Sequence, residues 1–176
     1  MIIFVVGGAS SGKSAYAEAL AVKCALPRYY LATMQVYDAE STARVERHRA
    51  LRADKQFETV ERSLNLGGLT LPGRGTVLLE DLGNLAANEL YAPEGAGINE
   101  SAVRAIVAGV RHLAQQSEHL IIVGNEVFSG GADYVGDTDR YLQVLAQASN
   151  EIAAVADAVC RVTCGVPVYY KGGEQA

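Results

Sequence analysis

Apolar residues fall along the chain in two alternating patterns. Short runs rich in Val, Ile and Leu, bounded by Gly, Pro or polar residues, occupy 2–6, 29–33, 57–61, 76–80 and 120–124. Such runs predict strands, most of them buried on both faces. Between them lie longer stretches with apolar positions three or four apart, at 13–23, 39–52, 82–91, 100–116 and 138–154, which predict helices. Asn99 stands where an N-cap for the 100–116 helix is expected. Two more runs, 158–163 and 166–170, pivot at Cys164-Gly165 and predict a hairpin. Strands alternating with helices imply crossover connections. The expected class is therefore α/β: one phosphate-loop NTPase-type domain over 1–171, with a mostly parallel sheet covered by helices. The terminal hairpin adds an antiparallel edge. Residues 172–176 are expected to be a frayed tail. In such sheets ligands gather at the carboxyl ends of the strands. This directs attention to the residues after Val6, Thr33, Glu80 and Gly124.

The first of these places holds the most specific motif. Gly7-Gly8-Ala9-Ser10-Ser11-Gly12-Lys13-Ser14 fits G-x-x-x-x-G-K-[ST] between a strand and a helix. Its glycines allow positive φ and bring amide N–H groups close to an anion. The helix N-terminus adds about half a positive charge. Lys13 can reach the outer phosphates of a nucleotide, and the Ser14 hydroxyl can ligate Mg²⁺. The alternative is a glycine-rich turn that binds nothing. All motif positions are filled in the right context, which weighs against it.

Composition narrows the partners. With 176 residues, 49 % of them hydrophobic and 20 % charged, the chain can bury a core and is not compositionally disordered. A net charge of −5 argues against nucleic acid as the main partner. No run reaches transmembrane length and no secretory signal precedes the phosphate loop, so a cytoplasmic, reduced protein is expected. The three cysteines have neither metal nor disulfide spacing. Cys160 and Cys164 are expected as core thiols, and Cys24 ends the first helix.

On this acidic background, residues 44–55 carry Arg44, Arg47, Arg49, Arg52 and Lys55, offset only by Glu46 and Asp54. Arg44, His48 and Arg52 are four apart and share one helix face. Packing cations there costs stability unless an anion meets them. Flanking cations disfavour the imidazolium form of His48, and a neutral imidazole can attack phosphorus. A solvated basic face with an ordinary surface histidine is the other reading of the same residues. His112 and His119 read as structural.

Carboxylates also stand at strand ends. Glu80 resembles the acidic partner of a phosphate loop, holding Mg²⁺ directly or through water. Asp81 reads as a helix N-cap, and the two roles are compatible. Glu61 and Asn125-Glu126 take similar positions, either facing the same cleft or serving as loop polar residues.

Taken together, these residues resemble the bifunctional adenosylcobinamide kinase / adenosylcobinamide-phosphate guanylyltransferase family of cobalamin biosynthesis. The likeness runs through the phosphate loop, Tyr30-Leu31-Ala32-Thr33, Arg44-Val45-x-x-His48-Arg49-x-x-Arg52, Thr59-x-Glu61 and Val77-Leu78-Leu79-Glu80. It continues through Asn88, Asn125-Glu126-Val127, Asn150, Ala156-Asp157 and Gly165-Val166-Pro167-Val168. It implies phosphorylation of adenosylcobinamide by ATP or GTP, then transfer of GMP from GTP onto that phosphate with release of pyrophosphate. The resemblance assigns the covalent guanylyl carrier to His48, and it also implies a homo-oligomer, in the family a trimer. Nucleotide-contacting positions map to Gly7, Gly8, Ala9, Ser10, Ser11, Gly12, Lys13, Ser14, Ala32, Thr33, Met34, Arg49, Ala50, Leu51, Arg52, Glu61 and Glu80. Ser14 and Glu80 are the metal positions.

The chain departs from the family pattern at Ala53, where proline is usual, and at Asp81, where a small or thiol residue is usual. It departs again in the loop Phe128–Asp133 and at Glu151. These changes cluster where the corrinoid, rather than the triphosphate, is expected. Two rivals remain at this level: a small-metabolite kinase without nucleotidyl transfer, and a nucleotide-dependent switch or assembly subunit.

Overall fold

The computed structural model describes residues 1–35, 53–128 and 135–173. The predicted helix over 39–52 lies outside them, as do residues 174–176. Seven strands form one sheet: β1 (Ile2–Gly7), β2 (Arg28–Ala32), β3 (Phe57–Glu61), β4 (Thr76–Glu80), β5 (His119–Asn125), β6 (Ala158–Thr163) and β7 (Val166–Lys171). Their order is β3-β2-β4-β5-β1-β6-β7, with every pairing parallel except β6 with β7. The described helices are α1 (Lys13–Lys23), α2 (Leu82–Tyr91), α3 (Asn99–Gln116) and α4 (Asp137–Val155). The expected class is the one that forms: a mostly parallel α/β sheet with an antiparallel edge hairpin.

Alternation along each strand divides the core between the two sheet faces. Phe4, Leu31, Val77, Leu79, Leu120 and Ile122 point to one face, where they pack with Leu82 and Leu85 of α2, Ile106 and Val110 of α3, and Leu145 and Ile152 of α4. Ile3, Val5, Leu78, Ile121, Val123 and Cys160 point to the other, against Ala17, Leu20 and Ala21 of α1. Burial on both faces explains why the central strands read as unbroken apolar runs.

One cap differs from expectation. The helix begins at Asn99 itself, Ile98 takes the N-cap position, and no side chain caps it. The Asn99 side chain instead ties α3 to α4: its amide donates to Gln143 Oε1 (3.3 Å) and its oxygen accepts from Arg140 Nε (3.3 Å). By contrast, Asp81 caps α2 as expected, accepting from the Asn84 backbone N–H at 2.7 Å.

Candidate functional site

The phosphate-loop motif begins where β1 ends, at Gly7, and closes where α1 begins, at Lys13. Gly12 occupies the helix N-cap with φ 91°, a left-handed conformation open to glycine at little cost, and Ser10 sits at φ 55°. The N-cap glycine has no side chain to cap this helix end, and the Lys13 N–H makes only a long bond to the Ser11 hydroxyl oxygen (3.4 Å). The next N–H groups of the first turn are offered to whatever anion enters the loop. Lys13 is only 9 % exposed, and its ammonium donates to the Gly8 carbonyl at 3.1 Å. The terminal hairpin braces the loop from the side, with the Gly165 N–H donating to the Ser11 carbonyl at 2.8 Å. A Cβ on Gly12 would lie 3.1 Å from the Gly165 Cα, so loop and hairpin meet at backbone distance.

Beside the loop lies a cleft of about 360 Å³, lined by Gly8 to Ser11, Glu126 and the end of β6. Arg161 enters it and pairs with Glu126 (Nε to Oε2, 2.7 Å). The Glu126 backbone N–H donates to the Gly7 carbonyl at 3.0 Å, which extends the β1–β5 pairing to the start of the loop. Sequence reasoning did not single out Arg161. Its signal was a lone cation in an otherwise apolar strand, ahead of the Cys164-Gly165 turn.

Parallel register sets the remaining strand ends. Glu61 and Glu80 are both abreast of Ala32, one on each side, and Asn125 is abreast of Gly7. Thr33, fully buried, stitches β2 to β4: its hydroxyl donates to the Asp81 carbonyl (2.8 Å) and accepts from the Asp81 N–H (2.7 Å). Asn88 of α2 donates its amide to the carbonyls of Thr33 (2.8 Å) and Ser63 (2.9 Å). Met34 follows, half-buried. The structure therefore brings residues 7–14, Ala32, Thr33, Met34, Glu61 and Glu80 to the carboxyl edge of one sheet.

His48, Arg49, Ala50, Leu51 and Arg52 lie outside the described residues, as do Arg44 and Arg47. Lys55, the last cation of that block, pairs with the buried Glu18 of α1. His112 bonds the Leu69 carbonyl at 2.8 Å, and His119 opens β5 at the opposite end of the sheet. Cys160 is buried, and burial pushes its thiol up to about 11. Cys164 differs from the expected core thiol: it is exposed, because the hairpin turn holds it at φ 50° on the rim of the cleft. Burial, and secondly the Asp81 charge, raise the pKa of the Tyr141 phenol on α4.

Among the described residues no group of three or more His, Cys, Asp or Glu side chains is placed to hold a metal ion, and no helix is long and apolar enough to cross a membrane.

With this geometry, the model of the family described as cobinamide kinase / cobinamide phosphate guanyltransferase matches residues 3–170. The chain belongs to that family. It is 31 % identical to the bifunctional adenosylcobalamin biosynthesis protein CobU of Escherichia coli (strain K12), over 97 % of this chain and 100 % of that protein. The CobU of Salmonella typhimurium is equally similar over the same shares. The bifunctional adenosylcobalamin biosynthesis protein CobP of Pseudomonas aeruginosa is 30 % identical over 96 % of each chain.

Proposed function

We propose that this family member carries out both reactions of its family's description. It phosphorylates the hydroxyl of adenosylcobinamide with ATP or GTP, then transfers GMP from GTP onto the new phosphate through a guanylylated His48. The observation that carries the reading is the placement of the Gly7–Ser14 motif, in a chain matched along nearly its whole length. The motif lies at the carboxyl edge of a parallel sheet, in the same edge as Ala32, Glu61 and Glu80.

In this reading the loop amides and Lys13 bind the triphosphate, and the α1 N-terminus favours its charge. The His48 imidazole attacks the α-phosphorus in line, the P–O bond to pyrophosphate breaks, and GMP is carried as a phosphoramidate. The acceptor phosphate then displaces the histidine. Arg49 and Arg52 stabilise charge on the transferring and leaving groups. Splitting the transfer avoids aligning two bulky substrates at once. The Ser14 hydroxyl and the Glu80 carboxylate are hard oxygen donors of the kind Mg²⁺ takes; they would hold the ion, which would offset phosphate charge there. The net charge of −5 argues against nucleic acid as the main partner. A cytoplasmic homo-oligomer, trimeric in the family's pattern, completes the proposal.

Incubation with adenosylcobinamide, Mg²⁺ and GTP, followed by mass spectrometry of the corrinoids, tests it. The expected products are adenosylcobinamide phosphate first and adenosylcobinamide-GDP second. Accumulation of the phosphate alone would reduce the protein to a kinase, and no modified corrinoid at all would overturn the reading.

A further inference from the structure

Three polar side chains from three different elements converge beside the phosphate loop, and none has a place in the scheme above. A Cβ built on Gly83, in the first turn of α2, would lie 2.8 Å from Asn125 Nδ2, 3.0 Å from the Tyr141 hydroxyl and 3.2 Å from Asp81 Oδ1. These side-chain ends therefore gather against Gly83, and a side chain at that position would have to push them apart. Asn125 comes from the carboxyl end of β5, abreast of Gly7 where the loop begins. Asp81 follows Glu80 at the end of β4, and Tyr141 lies in the second turn of α4. All three residues are half-buried. Asp81 spends Oδ1 on the α2 cap, while the Asn125 amide and the Tyr141 hydroxyl make no hydrogen bond among the described residues.

The chemistry of the group selects its ligand. It offers an amide donor, a phenol that donates or accepts, and a carboxylate that accepts. A phosphate would meet the Asp81 charge, so the triphosphate belongs on the loop and not here. An uncharged ligand bearing hydroxyl or amide groups satisfies all three.

We infer that Asp81, Asn125 and Tyr141 form a hydrogen-bonding subsite for the uncharged, hydroxyl- and amide-bearing end of the phosphoryl acceptor, held next to the outer phosphates. The inference rests on the kinase half of the proposed function.

Steady-state kinase kinetics on the full chain test it, with adenosylcobinamide and the nucleotide varied separately. Tyr141→Phe removes only the hydroxyl, and Asp81→Asn keeps a competent helix cap. Each is expected to raise the acceptor KM about five- to tenfold, the effect of one lost hydrogen bond to an uncharged partner. The nucleotide KM should stay within about twofold, and the thermal midpoint should match the wild type, which separates recognition from folding. An unchanged acceptor KM in both variants, or a nucleotide KM rising in step with it, would overturn the subsite while leaving the family activity standing. A wild-type protein that phosphorylates no adenosylcobinamide would overturn both.

Discussion

Lys13 shows how one side chain reports on the site. It is an ammonium held almost out of water, folded back onto the Gly8 carbonyl at 3.1 Å, in a loop whose helix N-cap is a glycine. A buried cation with no carboxylate partner among the described residues is costly unless it serves an anion. Lys13→Ala is expected to lower kinase kcat/KM by about 10²- to 10³-fold, the usual cost of losing one preorganised charge-stabilising donor, with little change in melting temperature. The cysteines make a separate test. Cys160 is buried with a raised pKa, Cys24 Sγ–H donates to the Leu20 carbonyl at 3.3 Å, and Cys164 is exposed on the cleft rim. Titration with an aromatic disulfide at pH 8 should show one fast thiol, and Cys164→Ser should abolish that phase. Single residues were unevenly legible in the sequence. Asp81 read correctly as a cap because its signal is local. Asn99 and Cys164 did not, because a cross-helix bond to α4 and the hairpin turn, both tertiary facts, decide where their side chains go.

At the scale of elements, the ends of the strands are held by polar stitches rather than by apolar packing. Asn88 is the clearest: one amide satisfies the carbonyls of both Thr33 and Ser63, tying α2 to the segments after β2 and β3. Asn88→Ala leaves two acceptors unpaired in a half-buried place. It should cost about 1–3 kcal/mol, and a fall of about 2–4 °C in melting temperature per kcal/mol for a chain of this size would register it. The same connection is the reason to expect weaker nucleotide binding in that variant, since Thr33 also orders the peptide after Glu80. Gly12→Ala should be worse for function than for folding. The new Cβ combines a left-handed φ of 91° with a 3.1 Å approach to the hairpin backbone, so it deforms the loop itself. Nucleotide affinity measured by calorimetry should drop more than the unfolding free energy does. The described strands and helices were legible within a residue or two because their periodicities are set by local geometry. The one-residue offset at the start of β2 comes from Arg28 pairing with both Phe57 and Thr76, which its own pattern does not show.

For the molecule as a whole, alternation of strands and helices announced a parallel sheet, but not the order β3-β2-β4-β5-β1-β6-β7. That order arises from pairings between distant segments, to which a strand's own pattern is blind. It nonetheless decides which strand ends become neighbours. Placing β5 between β4 and β1 sets Asn125 beside both the phosphate loop and the Asp81 corner. The phosphate loop was legible because its motif is contiguous. The convergence around Gly83 was hidden because its members are spread over residues 81 to 141. The histidine–arginine block was equally visible in the sequence, and it lies outside the described residues. The covalent step assigned to His48 therefore rests on family membership and on the chemistry of the imidazole.

That step is open to direct measurement. Wild-type protein and His48→Ala should each be mixed with Mg²⁺ and GTP labelled at either the α- or the γ-phosphate, then denatured and separated from free nucleotide. The account predicts an acid-labile, base-stable α-label on the wild type that maps to the peptide containing His48, no covalent γ-label, and no α-label on the variant. A wild-type protein that stays unlabelled from α-labelled GTP, or a variant that labels as well as the wild type, would contradict it.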